Sequence, residues 1–138
     1  HFTAGNRRTV IPYRGWNILL LVCYDLRFPV WSRARSDYDV AVYAASWPQA
    51  RIGAWDALLR ARAIENQCYV LGINRVGSDP SAFYDGHSVA VDFFGNVMGR
   101  LAEGEAGVIR TELDHERLDA YRERFRAWED ADRFTLTV

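Results

Sequence analysis

The chain has 138 residues, of which 49% are hydrophobic and 14% aromatic, a composition that suits one folded domain and argues against disorder. Its 17 lysine-plus-arginine positions are all arginine, and with 18 acidic residues they give a net charge of −1, without the basic stripe of a nucleic-acid binder. No apolar run approaches the roughly 20 residues that span a bilayer and no signal peptide is visible, so we expect a cytoplasmic protein with no nucleic-acid or membrane partner.

The first half of the chain alternates apolar runs with turn signals. A strand that runs into a turn is predicted over Val10–Trp16, further strands over Asn17–Val22 and Asp39–Ala45, and a short helix over Pro29–Arg35. The second of these strands is almost wholly apolar, which is typical of a strand that is buried on both faces of a sheet.

The second half begins with the clearest helix, predicted over Ile52–Gln67, with Trp55 and Leu59 on its apolar face and Arg60 and Arg62 turned elsewhere. Four further strands are predicted, the middle two forming a hairpin: Tyr69–Ile73, Ser88–Phe94, Val97–Leu101 and Val108–Leu113. A last helix, capped by Asp114, is predicted to carry an apolar stripe that serves as core or as a subunit contact: Leu118, Tyr121, Phe125 and Trp128.

This order of strands and helices predicts an α/β layered fold. A buried sheet needs cover on both faces, and one long helix with one terminal helix covers little of it. We therefore expect part of the cover to be missing from these residues or to come from a partner.

Cys23 is the strongest candidate for chemistry, because it ends a buried strand and is followed by a turn-prone segment. The alternative is a small buried hydrophobe at a strand end. If the chain turns sharply after the thiol, the backbone N–H of Tyr24 is a natural donor to an oxyanion. The only possible imidazole bases are His1, His87 and His115.

The run from Cys23 to Pro29, Cys-Tyr-Asp-Leu-Arg-Phe-Pro, resembles the cysteine motif of the nitrilase superfamily, the carbon–nitrogen hydrolases. Other segments agree in order and spacing: Tyr43–Pro48, Arg60–Asn66, Gly72–Gly77 and Gly86–Ser88. The resemblance covers essentially the whole chain and is greatest to omega-amidases. Those enzymes cleave the terminal amide of short dicarboxylic monoamides such as alpha-ketoglutaramate and release ammonia.

The resemblance implies an α/β fold that is part of a four-layer α-β-β-α sandwich. It also implies a Glu-Lys-Cys triad, in which only the cysteine maps here, onto Cys23. The other two residues would lie upstream of the segment matching His1. Residues 1–138 are therefore expected to be a single incomplete domain, the C-terminal half, with the N-terminal half missing and acting as its partner.

The family chemistry implies a thioester acyl-enzyme, a small-molecule amide substrate and no metal or organic cofactor. A homodimer is also expected, since family members commonly pair through helices near the cysteine and near the segment matching Ile52–Gln67. The fragment alone is expected to be inactive, because the family's lysine and base glutamate have no counterpart in it.

Arg27 and Trp47 are the candidate substrate-binding residues. The position matching Arg27 can bind the substrate carboxylate in related carbamoyl-amino-acid hydrolases; the alternative is a structural ion pair with Asp25 or Asp39. Trp47 either walls the pocket or simply packs. Asp25 is expected to hold the turn by accepting hydrogen bonds from backbone N–H groups.

Four more residues were weighed for the site. Glu65 and Asn66 are expected to be buried hydrogen-bonding supports, and Cys68 a core thiol. His87 follows Gly86 in a loop and is a possible pocket residue. No metal-ligand spacing and no phosphate-binding glycine loop is present.

Three other functions remain open from the sequence. One is hydrolysis of N-carbamoyl amino acids or aliphatic amides by the same superfamily chemistry. The second is a Cys-His hydrolase in which His87 activates the thiol. The third is an inactive half-domain or interaction fragment.

Overall fold

The computed structural model of the chain describes residues 5–34 and 36–135. Within them the strands are β1 Thr9–Tyr13, β2 Trp16–Val22, β3 Val40–Ala45, β4 Tyr69–Asn74, β5 Val76–Asp79, β6 Ala82–Asp85, β7 Val89–Val91 and β8 Val97–Arg100. The α-helices are α1 Pro29–Ser32, α2 Ile52–Asn66 and α3 His115–Arg124. None of these helices is long and apolar enough to cross a membrane.

Six strands form one sheet in the order β1-β2-β3-β4-β7-β8, and β5 and β6 pair separately as a hairpin. The central strands β2, β3 and β4 are parallel, while the flanking pairs are antiparallel. Val22 lies opposite Ala44, and Ala44 lies opposite Ile73, so the three parallel strands end at one edge of the sheet. The predicted α/β fold is confirmed.

One face of the sheet packs against α2. The core there is formed by sheet residues such as Leu19, Tyr43 and Val70 and by Trp55 and Leu59 from the helix, all fully buried. This burial supplies the main stabilisation of the fold, since each large side chain removed from water contributes about 1.5–3 kcal/mol.

The other face is covered only in part by the described residues. Phe93 and Leu118 close its core where α3 crosses the sheet. Elsewhere on this face the side chains of Tyr13, Val22 and Ile73 remain 60%, 66% and 53% exposed. An open apolar sheet face therefore lies next to the strand that ends at the cysteine.

α3 is anchored to the sheet by one arginine. Arg122 donates to Asp39 Oδ1 at 2.8 Å and to the carbonyls of Tyr38 and Gln67 at 2.9 and 3.0 Å. Asp39 in turn accepts from the backbone N–H of Asn17 at 2.9 Å. The same carboxylate thus joins α3 to the beginnings of β2 and β3.

The predicted strand over Val108–Leu113 is wrong, because this segment pairs its backbone with no strand of the described chain. Two of its apolar side chains instead lie over the sheet, where Ile109 lies against Gly99 and Leu113 packs beside Leu118, while Val108 is exposed. The apolar residues of this segment reflect side-chain packing against the sheet. A strand-like pattern in the sequence does not distinguish such packing from backbone pairing.

The hairpin of β5 and β6 was not predicted from its polar sequence. Its turn is held by the Asp79 carboxylate, which accepts from the Ser81 N–H, the Ser81 hydroxyl and the Ala82 N–H. These bonds hold the pKa of Asp79 well below its usual range. Turn chemistry of this kind, rather than an apolar run, forms the hairpin.

Several predicted boundaries differ from the structure. The turn predicted within Val10–Trp16 lies at Arg14 and Gly15, which have positive φ, and Trp16 already belongs to β2. Gln67 is left-handed and ends α2 one residue early. α3 ends at Arg124, which leaves Phe125 and Trp128 beyond it. The predicted end of the first short helix, residue 35, lies outside the described residues.

Gly72→Ala is expected to lower the free energy of unfolding by about 1–3 kcal/mol, because overpacking a filled core forces neighbouring side chains to move. A Cβ at this position in β4 would lie 2.9 Å from the Trp55 ring. Urea titration measures the effect. The matched control is Gly53→Ala in α2, where a Cβ meets nothing within 4 Å. If both variants lower the free energy of unfolding equally, the packing argument is contradicted.

Candidate active site

Cys23 lies directly after β2, in a sharp turn. Its φ is 42°, a left-handed conformation that non-glycine residues rarely adopt and that is common at functional sites. A 3₁₀ turn over Cys23–Arg27 begins there, and Asp25 Oδ2 accepts the Val22 N–H at 2.9 Å. The half-buried thiol lies 3.9 Å from the carbonyl oxygen of Ser46. The turn therefore projects the thiol away from the strand and towards the end of β3.

Arg62 supports this turn from α2, contrary to the prediction that it points away from the core. Its side chain is 4% exposed, and its Nη2 donates to the Leu26 carbonyl at 2.7 Å. Its Nη1 forms an ion pair with Glu65 at 2.9 Å. A buried guanidinium is well suited to this role, because it binds a carbonyl and a carboxylate together.

Glu65 and Asn66 connect α2 to the segment after α1. The Asn66 side chain accepts the Ala34 N–H at 2.8 Å and donates to the Arg62 carbonyl at 3.0 Å. The backbone carbonyl of Glu65 accepts from Arg33 at 2.8 Å. Both residues lie where they support the segment behind the cysteine, and neither lines the cleft beside it.

The thiol opens onto a cleft of about 410 Å³. Its lining residues come from the turn after β2 and from the segment after β3: Cys23, Tyr24, Arg27, Ser46, Trp47, Pro48 and Arg51. The structure thus brings four residues singled out in the sequence to one place, together with an arginine that the sequence analysis did not consider.

Arg27 lies over the indole of Trp47, with 4.9 Å between the guanidinium carbon and the ring centroid. Neither carboxylate weighed as its ion-pair partner is engaged with it. Asp25 accepts from Val22, and Asp39 pairs with Arg122. Stacking on the tryptophan leaves the guanidinium N–H groups available at the edge of the cleft.

Asn74, at the end of β4, holds the wall that carries Trp47. Its Oδ1 accepts the Trp47 N–H at 2.7 Å, and its Nδ2 donates to the carbonyls of Trp47 at 3.0 Å and Gly86 at 2.7 Å. This role of Asn74 is not predicted from the sequence. The signal was an asparagine directly after a buried apolar strand, where an amide can satisfy the backbone of the next segment.

His87 does not line the cleft. Its Nδ1 lies 3.2 Å from Asp56, its Nε2 lies 3.6 Å from Asp85, and its φ is 61°. His115 lies at the opposite end of β3, between Asp39 at 3.7 Å and Asp119 at 3.0 Å. His1 lies outside the described residues.

Cys68 is fully buried beneath α2, and its burial raises the pKa of its thiol to about 12. Cys23 and Cys68 are both free thiols. Across residues 5–34 and 36–135, no group of three or more histidine, cysteine, aspartate or glutamate side chains is arranged to hold a metal ion.

The carbon-nitrogen hydrolase family model matches residues 1–123. The chain therefore belongs to this family, within the nitrilase superfamily. It is 53% identical over 137 residues to Omega-amidase YafV of Yersinia enterocolitica, covering 99% of this chain and 54% of that protein. It is 42% identical over 134 residues to 2-oxoglutaramate amidase of Bacillus subtilis, covering 94% and 51%.

Among solved structures, the CN-hydrolase superfamily protein XC1258 of Xanthomonas campestris superposes with a TM-score of 0.94 at 41% identity, covering 99% of this chain and 54% of that one. A cysteine-to-alanine variant of the amidase from Nesterenkonia in complex with butyramide matches with a TM-score of 0.70 at 28% identity, covering 91% and 49%. The chain spans about half the length of these relatives.

The thiol reagent DTNB is expected to react with one cysteine per native chain near pH 8, because only the thiolate reacts and burial keeps Cys68 protonated. Absorbance at saturation counts the reactive thiols, and unfolding in guanidinium chloride should raise the count to two. Cys23→Ala should abolish the native reaction, whereas Cys68→Ala should preserve it. Two fast thiols in the native chain would contradict the buried position of Cys68.

Proposed function

We propose that the chain carries the nucleophile of an amidase that cleaves the terminal amide of a short carboxylic acid, as omega-amidases do. The observation that carries this proposal is the Cys23 thiol, held on a left-handed turn and open to a cleft lined by Arg27. The activities named for the relatives from Yersinia enterocolitica and Bacillus subtilis support the same class of substrate.

In the proposed reaction, a glutamate takes the proton of Cys23 and the thiolate attacks the amide carbon. The Tyr24 N–H and a lysine ammonium hold the oxyanion of the tetrahedral intermediate. Its collapse breaks the C–N bond, and the departing nitrogen takes a proton and leaves as ammonia. Water then attacks the thioester, which releases the acid and restores the thiol.

The glutamate and the lysine of this mechanism are proposed to lie outside these 138 residues. The sequence contains no lysine, and its first glutamate is Glu65, which is engaged with Arg62 behind the cysteine. The open apolar face beside β2 offers a place where a further segment can pack. The half-length match to the relatives supports this division of the catalytic residues.

A cysteine nucleophile is supported by the amidase from Nesterenkonia, which is 30% identical to this chain and in which a glutamate-to-glutamine variant shows Michael addition of acrylamide at the active-site cysteine. By analogy, the Sγ atom of Cys23 would carry the thioester in this protein.

Arg27 is proposed to bind the substrate carboxylate. Its guanidinium has no carboxylate partner in the described part of the chain, and it lies over Trp47 in the cleft that Cys23 also lines. Planar guanidinium groups bind carboxylates through two parallel hydrogen bonds, which orients the bound acid. A pocket that holds the acid at one end presents the amide at the other end to Cys23.

A homodimer is also proposed, formed through the surface around α1. Tyr24, Phe28 and Val30 expose large apolar side chains there, in a region adjoining the cysteine turn. Exposed apolar groups clustered in this way are typical of protein interfaces. Sedimentation equilibrium measures the mass; Val30→Glu should shift a dimer towards monomer, and a monomeric parent protein would contradict the proposal.

The direct test is ammonia release from 2-oxoglutaramate, which is another name for alpha-ketoglutaramate, and from succinamate. We expect activity in the protein at its natural length and none in the 138-residue chain, because the base and the lysine are proposed to lie outside it. Cys23→Ala should lower kcat by at least about a thousandfold, and Cys68→Ala should retain most of the activity. An acyl-enzyme trapped by acid quench and seen by mass spectrometry would identify the thioester.

The outcomes also separate the alternative functions. Activity of the 138-residue chain itself would remove the need for a lysine and favour the Cys-His hydrolase, which His87→Ala would then abolish. If the protein cleaves N-carbamoyl amino acids or aliphatic amides but neither 2-oxoglutaramate nor succinamate, the result would favour that alternative activity within the superfamily. No activity on any amide would favour the inactive fragment.

A further inference from the structure

Arg51 lies on the cleft wall beside Trp47. It is the last residue of the 3₁₀ turn Gln49–Arg51, which leads directly into α2. Its backbone carbonyl accepts the indole N–H of Trp47 at 2.8 Å, and its N–H donates to the Pro48 carbonyl at 3.0 Å. The backbone of Arg51 is thus fixed to the tryptophan on which Arg27 lies, while its side chain is exposed to the cleft.

The lining of the cleft contains two guanidinium groups and no carboxylate. Arg51 forms no ion pair or side-chain hydrogen bond with any described residue, and Arg27 lies over the Trp47 ring with no carboxylate partner among those residues. Six arginines elsewhere in the described residues do pair with carboxylates: Arg8, Arg62, Arg75, Arg100, Arg122 and Arg126. Two uncompensated positive charges beside one thiol make the cleft attractive to an anion.

We propose that Arg51 is a second residue that recognises the acid end of the substrate, and that it favours acids with an oxygen next to the carboxylate. A carboxylate offers about four acceptor sites, and an adjacent oxo group adds one more. A single guanidinium binds a carboxylate through two parallel N–H groups, so a second guanidinium on the same wall can donate to the oxygen sites that the first leaves unused. The inference rests on the proposed amidase function and deepens it by assigning a residue that distinguishes among the acid amides.

The test compares substrates that differ at the acid end. The ratio of kcat/KM for 2-oxoglutaramate to that for butyramide, which has no carboxylate, is measured in the natural-length protein. Arg51→Gln is expected to lower this ratio about ten- to a hundredfold, since it removes charge-assisted hydrogen bonds. The corresponding ratio of kcat/KM for succinamate to that for butyramide should fall less, because succinamate lacks the oxo group. Arg51→Lys should restore part of the loss.

The matched control is Arg124→Gln in α3, which removes one guanidinium from the surface without touching the cleft; its ratios should equal those of the parent. An unchanged ratio in Arg51→Gln, or equal losses on butyramide and 2-oxoglutaramate, would overturn the inference while leaving the amidase function in place.

A failure of the proposed amidase function can be distinguished from a failure of the inference about Arg51. If the natural-length protein cleaves none of these amides, binding of 2-oxoglutarate is measured by titration calorimetry. Arg51→Gln should then raise its Kd at least about tenfold, and an unchanged Kd would overturn the inference without any reference to catalysis.

Discussion

The parallel register of β2, β3 and β4 is the constraint on which the site depends. Because Val22, Ala44 and Ile73 lie side by side across the three strands, the residues that follow each strand emerge at the same edge of the sheet. The thiol, the Trp47 wall and the Asn74 amide meet there for that reason. A slip by one residue would move every side chain of a strand to the opposite face and separate them.

The left-handed turn at Cys23 costs roughly 1–3 kcal/mol of backbone strain, which the surrounding contacts must offset. Two of these contacts are charged. The Asp25 carboxylate accepts the N–H before the turn, and the Arg62 guanidinium donates to the carbonyl of Leu26 within it. Hydrogen bonds to charged groups contribute about 1.5–3 kcal/mol each. The turn is consequently fixed before any substrate arrives, which is the condition for a preorganised nucleophile.

The sequence predicts the parts of this site that depend on local pattern. β2, β3 and β4 are continuous apolar runs, so their ends, and with them Cys23 and Trp47, are visible in the sequence. The contributions of Arg62 and Asn74 are not visible in the sequence, because their partners lie 36 and 27 residues away along the chain. An arginine near the apolar stripe of a helix reads as solvated until the carbonyl that it binds is known. The hairpin of β5 and β6 is missed similarly, since its turn depends on side-chain hydrogen bonds.

The open sheet face and the cleft adjoin at the end of β2. Val22 contributes its side chain to the open face, and Cys23, the next residue, contributes its thiol to the cleft. If the proposed glutamate and lysine arrive on a segment that covers this face, the burial of Val22 and the completion of the catalytic set are the same packing event. Covering the face would also lower the local dielectric, which strengthens the attraction between a bound carboxylate and the arginines of the cleft. Substrate selection and thiol activation would then both depend on the hydrophobic contact beside β2.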